Sequence, residues 1–221
     1  MTSEPFQRAR TQEQRTARRT AILGAAAGLL SEAPLSEISL RELARRVGLS
    51  KTNVVRYFET REAVFFALLN QTAQDWVDGL PGDLPEAEPV VVMDALARSL
   101  SRQPLLCELW SALGTELERN ISAEAVRDFK LAHAEVQARL AVLLRVRMPG
   151  LKETAARELV AHLILLVAGL WPFANPAPAV AEAVRDPRLA HSRVDFAARL
   201  GRALQVTVTG LLALAESDRN A

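Results

Sequence analysis

The chain has 221 residues, of which 49% are hydrophobic and 24% charged, with a formal net charge of +1 and a single cysteine, Cys107. This composition excludes a long disordered chain, an internal disulfide and a secreted disulfide scaffold. No apolar core follows the basic N-terminal residues, and the longest apolar run, 163–170, is far shorter than the roughly 20 residues that cross a bilayer. We therefore expect a cytoplasmic protein with no export signal and no membrane span.

The charge is distributed unevenly along the chain. Residues 1–65 carry eleven Arg or Lys side chains against seven Asp or Glu, whereas the remaining residues carry 16 against 19. A basic N-terminal segment suggests a polyanionic partner, although a solvated charged surface explains the same asymmetry. The charge pattern indicates a class of partner without identifying it.

Leu, Ala, Arg and Glu are abundant and no stretch alternates β-branched residues with period two, so the pattern predicts an all-α protein of about nine helices. A first helix is expected over residues 11–31, followed by Pro34. A second helix begins at a capping-box pattern, in which the Ser39 hydroxyl accepts from a first-turn amide and Glu42 reaches back to the cap. Gly48 ends that helix, because glycine tolerates the left-handed conformation.

Ser50 is expected to cap a third helix that reaches about Tyr57, and Thr60 a fourth that reaches about Gly79. Two short helices joined by a very tight turn are thereby flanked by two longer ones. The segment 79–89 is rich in proline and glycine, which predicts a loop near the division between a small head and a larger body.

Five further helices are expected in the body, at about 89–101, 104–119, 122–147, 152–170 and 194–216. Pro104 and Ser122 have the character of helix starts, and Pro149-Gly150 of a break. Four prolines between Trp171 and Arg193 predict a long loop with room for one short helical turn.

Residues 39–69 contain side chains of two kinds. Apolar residues form an inward face on each of the two short helices, and hydrogen-bonding side chains are left to point outward: Arg41, Lys51, Thr52, Asn53, Arg56 and Tyr57. A helix that reads base edges in the major groove needs donors and acceptors near its N-terminal half, and basic groups for phosphates. The pattern indicates DNA binding, the alternative being that these side chains only solvate a helix face.

At residues 39–64 the chain reads S-L-R-E-L-A-R-R-V-G-L-S-K-T-N-V-V-R-Y-F-E-T-R-E-A-V. This resembles the TetR family of bacterial repressors, whose pattern is close to T-x-R-x-I-A-x-x-A-G-V-S-x-G-x-L-Y-x-H-F-x-x-K-x-x-L. The resemblance covers roughly residues 15–70. It implies an N-terminal arm and helix-turn-helix DNA-binding domain at 1–70 and a ligand-sensing, dimerising domain at 71–221.

The function implied by this resemblance is sequence-specific transcriptional regulation, by a ligand-responsive repressor that binds a palindromic operator as a dimer. By correspondence with the family pattern, Arg41 and Asn53 contact base edges and Arg56 contacts a base or a phosphate. The expected phosphate contacts are Ser39, Lys51, Tyr57 and Arg61.

Three positions depart from the family pattern. Thr52 stands in place of a glycine and can touch a thymine methyl, Val55 in place of a phosphate-contacting tyrosine, and Tyr57 in place of a histidine. The operator sequence therefore cannot be carried over. Five arginines precede or begin the first helix: Arg8, Arg10, Arg15, Arg18 and Arg19. They could form a flexible basic arm that reaches phosphate or an adjacent minor groove, the alternative being an unstructured terminus.

Several large aromatic and histidine side chains of the body are candidates to line a ligand pocket: Trp76, Trp110, Phe129, His133, His162, Trp171 and Phe173. A sensor of this family type keeps an apolar pocket with few polar groups between body helices. Ordinary core packing explains each residue taken separately. No metal and no cofactor are expected, because the Glu158–His162 pair has no second His or Cys at zinc-type spacing.

The helices at about 152–170 and 194–216 are apolar on more than one side, which leaves an apolar face exposed in a monomer. Small residues would let two such helices approach closely: Ala197, Gly201, Ala203 and Gly210. The resemblance implies a two-fold homodimer built from these two helices of each subunit. The other expected partners are an operator duplex and an unknown small-molecule effector, with no membrane.

Two other functions are weighed against this one. A helical-bundle enzyme is disfavoured, because Cys107 has no nearby histidine and neither a phosphate-binding glycine loop nor a Glu-x-x-His pair occurs. An adaptor that has lost DNA binding has no need for Arg41, Lys51, Asn53 and Arg56 together. The sequence leaves open the effector, the operator and the choice between repression and activation.

Overall fold

The computed structural model of the chain describes residues 4–119 and 121–220, with side chains for residues 12–119, 121–215 and 217. Within these ranges the chain forms helices and no strand, which confirms the all-α class. The α-helices are α1 (Glu4–Leu30), α2 (Leu40–Arg46), α3 (Lys51–Val55), α4 (Arg61–Asp83), α5 (Pro89–Ser101), α6 (Pro104–Ala112), α7 (Ala123–Arg147), α8 (Glu153–Ala174), α9 (Pro178–Ala183) and α10 (Phe196–Asn220).

Helix α4 is longer than the sequence predicted, so the loop expected at 79–89 is confined to residues 84–88. Pro81 lies inside the helix, where it removes one backbone hydrogen bond. Leu80 and Leu84 are buried on either side of it, and Arg147 Nη2 donates to the Pro81 carbonyl at 2.8 Å. Burial and this donor offset the lost bond, so the helix continues to Asp83.

Residues 171–193 also contain more helix than the long loop that the sequence predicted. Helix α8 continues through Pro172 to Ala174, the short helix α9 follows, and a 3₁₀ helix covers Pro187–Ser192. Trp171 is buried in the last turns of α8, which favours helix over loop at this point. A π-helical turn, Leu113–Leu117, extends α6 beyond Ala112.

Two compact units make up the chain: Met1–Leu69 with Gly114–Phe129, and Asn70–Leu113 with Lys130–Ala221. In the first unit α2 packs against both α1 and α3. Phe66 of α4 stacks on Phe129 of α7 with ring centroids 4.1 Å apart. The sequence-based division into domains at residue 70 stays a prediction.

The second unit is organised around α10, which packs on α5 and α8, while α6 also packs on α8. Gly201 faces α5, where an added Cβ would lie 3.2 Å from Asp94 Oδ1 and 3.5 Å from the Ala97 Cβ. The absence of a side chain at Gly201 thus lets α10 approach α5 within the chain. Close packing within the subunit, rather than with a second subunit, explains this glycine.

Helix α8 is apolar on two faces. Leu159, Leu163 and Val167 are buried, whereas Leu165 is 68% exposed. By length and composition α8 is apolar enough to cross a membrane: an 18-residue stretch of it has a mean hydropathy of 1.4, and 33% of that stretch is buried inside the fold. A helix with one apolar face in the core and a second apolar face at the surface reaches the same mean hydropathy as a membrane-spanning helix. The absence of a membrane span stays a prediction.

Candidate nucleic-acid interface

Two serine caps define the starts of α2 and α3. Ser39 Oγ accepts a hydrogen bond from the Glu42 amide at 3.1 Å, and Ser50 Oγ accepts one from the Asn53 amide at 3.2 Å. Both caps are confirmed. The other half of the expected capping box differs, because the Glu42 carboxylate accepts from Arg45 instead, and this bond lowers the pKa of Glu42.

Gly48 makes the tight turn between these helices. Its φ of +67° is left-handed, as its position after α2 predicts, and the following Leu49 amide donates to the Ala44 carbonyl at 2.9 Å. Leu43, Ala44 and Val54 are buried, so the inward faces of α2 and α3 meet. This is the geometry of a helix-turn-helix pair.

The polar side chains predicted to contact DNA lie mostly at the surface of this pair. Ser39 is exposed, and so are Arg41, Lys51, Thr52, Asn53 and Arg56. Val55 is exposed as well, while Val54 beside it is fully buried. The helix α3 therefore presents polar and cationic groups on one side and core contacts on the other.

The neighbouring cations differ in whether they have acidic partners. Arg45 pairs with Glu42, and Arg46 pairs with Glu32 at 2.5 Å. Across the described residues, Arg41, Lys51 and Arg56 form no ion pair with a carboxylate. Their positive charges are uncompensated at the surface, which suits them to phosphate or to base acceptors.

Tyr57 and Arg61 are less accessible than the sequence suggested. Tyr57 is half-buried. Arg61 Nη1 donates to the Leu35 and Ile38 carbonyls, each at 3.2 Å, and its Nη2 pairs with the buried Glu62. Thr60 Oγ1 caps α4 by accepting from the Ala63 amide, as predicted. Through these hydrogen bonds Arg61 links the segment before α2 to the start of α4.

The arginines expected in a flexible arm fall on helix α1. Arg15 and Arg18 are exposed, whereas the side chains of Arg8 and Arg10 lie outside the described residues. Arg19 is half-buried, donates from Nη1 to the Tyr57 carbonyl at 2.8 Å and places its guanidinium 4.2 Å from the centroid of the Phe58 ring. Burial, followed by the charge of Arg15, lowers the pKa of Arg19.

Two adjacent stretches of the chain match known protein families. Residues 22–68 match the family described as "Bacterial regulatory proteins, tetR family", and residues 70–215 match "Tetracyclin repressor-like, C-terminal domain". The chain belongs to the TetR family. It is a TetR-family transcriptional regulator, and such proteins are DNA-binding regulators rather than enzymes.

Individual relatives match the chain in part. The HTH-type transcriptional regulator RutR of Escherichia coli K12 is 30% identical over 83 residues, which are 38% of this chain and 39% of RutR. The regulator EthR of Mycobacterium tuberculosis H37Rv is 41% identical over 54 residues, 24% of this chain and 25% of EthR. The chain thus spans about two fifths of RutR and a quarter of EthR in these matches.

Solved structures show the TetR fold over nearly the whole chain. A TetR transcriptional regulator from Rhodococcus sp. RHA1 has a TM-score of 0.60 at 20% identity, covering 89% of this chain and 96% of its own. A second regulator from the same source has a TM-score of 0.57 at 18% identity, covering 88% and 96%.

Three of the candidate pocket residues of this TetR-family regulator meet in its second unit. Trp76 and Trp110 pack edge to face with centroids 5.8 Å apart, and Trp110 Nε1 donates to His133 Nε2 at 3.2 Å. The other imidazole nitrogen, Nδ1, lies 2.8 Å from Asn70 Oδ1. Because Nε2 accepts, the hydrogen-bond network assigns the imidazole proton to Nδ1, which donates to Asn70.

Burial gives this cluster its electrostatic character. Desolvation, with a smaller contribution from the charge of Lys130, lowers the pKa of His133 to about 4. The imidazole is neutral at physiological pH. Trp76 Nε1 donates to the buried Ser99 Oγ at 3.1 Å. Sequence reasoning missed Asn70 and Ser99, because neither shares a spacing pattern with its partner.

The remaining candidates lie apart from this cluster. Trp171 packs on Phe196 and donates to Glu108 Oε2 at 2.9 Å, and His162 is half-buried on α8. Phe173 is 70% exposed and lines a groove of about 700 Å³ formed with α9. Phe129 belongs to the first unit, against Phe66.

Two further features of the described part of the chain concern metal ligands and the single cysteine. No group of three or more His, Cys, Asp or Glu side chains is placed there to hold a metal ion. Burial, and then the charge of Glu108, raises the pKa of the Cys107 thiol to about 12. A thiol that stays protonated is a poor nucleophile.

Proposed function

We propose that this protein is a ligand-responsive transcriptional repressor that acts in the cytoplasm and binds a palindromic operator as a homodimer. The observation that supports the proposal is the exposed surface of α2 and α3. There Arg41, Lys51 and Arg56 carry positive charges without acidic partners among the described residues, and Asn53 lies beside them. Surfaces of this kind bind phosphate and read base edges.

The proposed contacts follow from exposure and chemistry. Arg41 and Asn53 read base edges, and Arg56 contacts a base or a phosphate. Lys51, Tyr57 and the Ser39 hydroxyl contact phosphate, and Thr52 packs on a thymine methyl. Ser39 Oγ accepts from the Glu42 amide, which leaves its own proton to donate.

Arg61 is proposed to support these contacts rather than to make one. Its Nη1 already donates to two carbonyls of the segment before α2, and its Nη2 pairs with Glu62. A phosphate would have to compete with these bonds.

The dimer is proposed to form through α8 and α10. Leu165 on α8 and Val206 and Leu214 on α10 are between 58% and 68% exposed. Gly210, which lies between Val206 and Leu214 on α10, is also exposed. Apolar side chains at a surface favour association. A two-fold dimer would place two α3 helices in successive major grooves about 34–36 Å apart, which requires an inverted-repeat operator.

The effector is proposed to be an apolar or aromatic small molecule that binds in the second unit near the cluster of Trp76, Trp110 and His133. Both nitrogens of His133 are engaged, so an effector that bonds to the imidazole must displace Trp110 or Asn70. Asn70 lies on α4, and α4 begins at Arg61 in the first unit. A shift of α4 would therefore alter the DNA-binding surface, and a coupling of about 1–3 kcal/mol changes operator affinity about 5–150-fold.

Selection of bound sites from a random duplex library tests the proposal, with the purified full chain at near-physiological salt. An enriched inverted repeat is the expected result. Weak, salt-sensitive binding without sequence preference would contradict it and favour an adaptor that has lost specific DNA recognition.

The selected operator then permits a matched pair of variants. Arg41→Ala is expected to relax the preference at one position in each half-site, at a cost of about 1–3 kcal/mol for each half-site. Arg45→Ala removes an exposed arginine of the same helix whose charge is paired with Glu42. It should leave the base preference unchanged, and an equal effect of both variants would contradict base reading by Arg41.

A further inference from the structure

We propose that Arg19 is a positioning residue for DNA recognition, which fixes the C-terminal end of α3 without contacting DNA. The proposal rests on the proposed contact between α3 and the operator. It departs from the expectation that Arg19 belongs to a phosphate-binding arm.

The geometry ties α1 to the residues that end α3. Arg56 is the C-cap of α3, and Tyr57 and Phe58 follow it directly. Arg19 donates from Nη1 to the Tyr57 carbonyl at 2.8 Å and lies 4.2 Å from the centroid of the Phe58 ring. One side chain thus holds both the backbone and the aromatic ring at the end of the helix.

Helix α3 needs such support because it is short. It covers only Lys51–Val55, so most of its carbonyl groups have no partner within the helix. Ser50 caps the N-terminal end, and a cation next to the C-terminal carbonyls is favourable for the helix dipole. Arg19 supplies the corresponding restraint at the other end, next to Arg56 and Tyr57.

The environment of Arg19 argues against a role in binding phosphate. Its guanidinium is half-buried, and burial lowers its pKa, whereas Arg15 and Arg18 on the same helix are exposed. The guanidinium carbon lies 4.2 Å from the centroid of the Phe58 ring while Nη1 donates to the Tyr57 carbonyl, and a planar set of donors makes two such contacts at once more readily than a lysine ammonium does.

The position of α1 does not depend on Arg19. Ile22 and Ala26 have no exposed surface, and Leu29 is buried one turn further along. Loss of the guanidinium is therefore expected to loosen the end of α3 while the core of the unit persists. DNA binding would then have to order the end of α3, which lowers the affinity for the operator.

The test compares the full-length protein with Arg19→Ala, Arg19→Lys and Lys51→Ala on the selected operator. Dissociation constants are measured at several salt concentrations, at a temperature where circular dichroism shows each protein folded. Both Arg19 variants are expected to weaken operator binding about tenfold, with the slope of log K against log salt unchanged. Lys51→Ala, the phosphate reference, removes one phosphate contact from each subunit of the dimer and should reduce that slope by about 1.8.

Two results would overturn the proposal. A slope reduced by Arg19→Ala as much as by Lys51→Ala would make Arg19 a phosphate contact. Unchanged operator affinity in both Arg19 variants would leave it without a role in recognition. If Arg19→Ala fails to fold, Arg19→Gln, which keeps part of the stem and removes the charge, takes its place in the comparison of slopes. Absence of operator binding by the unsubstituted protein would contradict the proposed function itself.

Discussion

At Gly48 the backbone conformation, rather than the space around the residue, determines which side chains can be accommodated. Its φ of +67° lies where a Cβ is disfavoured, and an added Cβ would meet no atom within 4 Å. Gly48→Ala should therefore lower the free energy of unfolding by about 1–2 kcal/mol through backbone strain alone. Denaturant unfolding monitored by circular dichroism measures this change.

Gly79 provides the matched control. It lies inside α4, and an added Cβ there also meets no atom within 4 Å. Gly79→Ala should raise the free energy of unfolding by roughly 0.5–1 kcal/mol, because alanine is the better helix former. Equal effects of the two substitutions would contradict the assignment of strain to position 48.

Residues with local partners could be predicted from the sequence, and residues with distant partners could not. Ser39, Ser50 and Thr60 accept from an amide three residues later, which a capping pattern specifies. Arg19 and Arg61 have partners 38 and 26 residues away, and no spacing rule links such pairs. The expectation of a phosphate contact rested on basic character for Arg19 and on correspondence with the family pattern for Arg61.

Among the elements, α4 and α8 show why local helix-stop signals failed. Each contains a proline in its last turns and continues past it, because a buried side chain lies next to that proline, Leu80 in one helix and Trp171 in the other. Proline and glycine are visible in the sequence, whereas burial is a property of the folded chain. Helix ends set by tertiary packing were the part of the fold that could not be predicted.

Three elements are held together by one imidazole, since His133 of α7 bonds to Asn70 of α4 and Trp110 of α6. Its pKa falls from 6.5 to about 4 on folding, so the unfolded chain binds the proton more readily. The stabilising contribution is complete above about pH 6.5 and is lost as the pH falls toward 4. Between pH 7 and pH 5 the loss should be about 2 kcal/mol.

Unfolding titrations of the wild type and His133→Gln at both pH values check this prediction. The glutamine amide can still donate and accept a hydrogen bond, and it has no proton to gain in this range. The carboxylates titrate in both proteins, so the difference between them isolates His133. An identical loss of stability in the variant would contradict a buried neutral imidazole.

At the scale of the whole molecule, the exposed apolar residues of α8 and α10 should determine the oligomeric state. Leu165→Glu places a carboxylate on the proposed interface, where burial without a partner is unfavourable. The dissociation constant of the dimer is expected to rise at least about tenfold, with weaker operator binding as a consequence. Sedimentation velocity over a concentration series measures it.

Leu131 on α7 is the control, because it is 61% exposed against 68% for Leu165. Leu131→Glu should leave the dimer intact. Dissociation caused by both substitutions, or by neither, would contradict an interface formed by α8 and α10.

All three tryptophans of the chain, Trp76, Trp110 and Trp171, belong to the second unit, and each indole N–H donates to a different partner. Indole emission therefore originates from the proposed effector-binding part of the protein and not from the helix-turn-helix pair. The unlabelled protein carries its own optical reporter, so effector candidates can be screened by intrinsic fluorescence even before the operator is known.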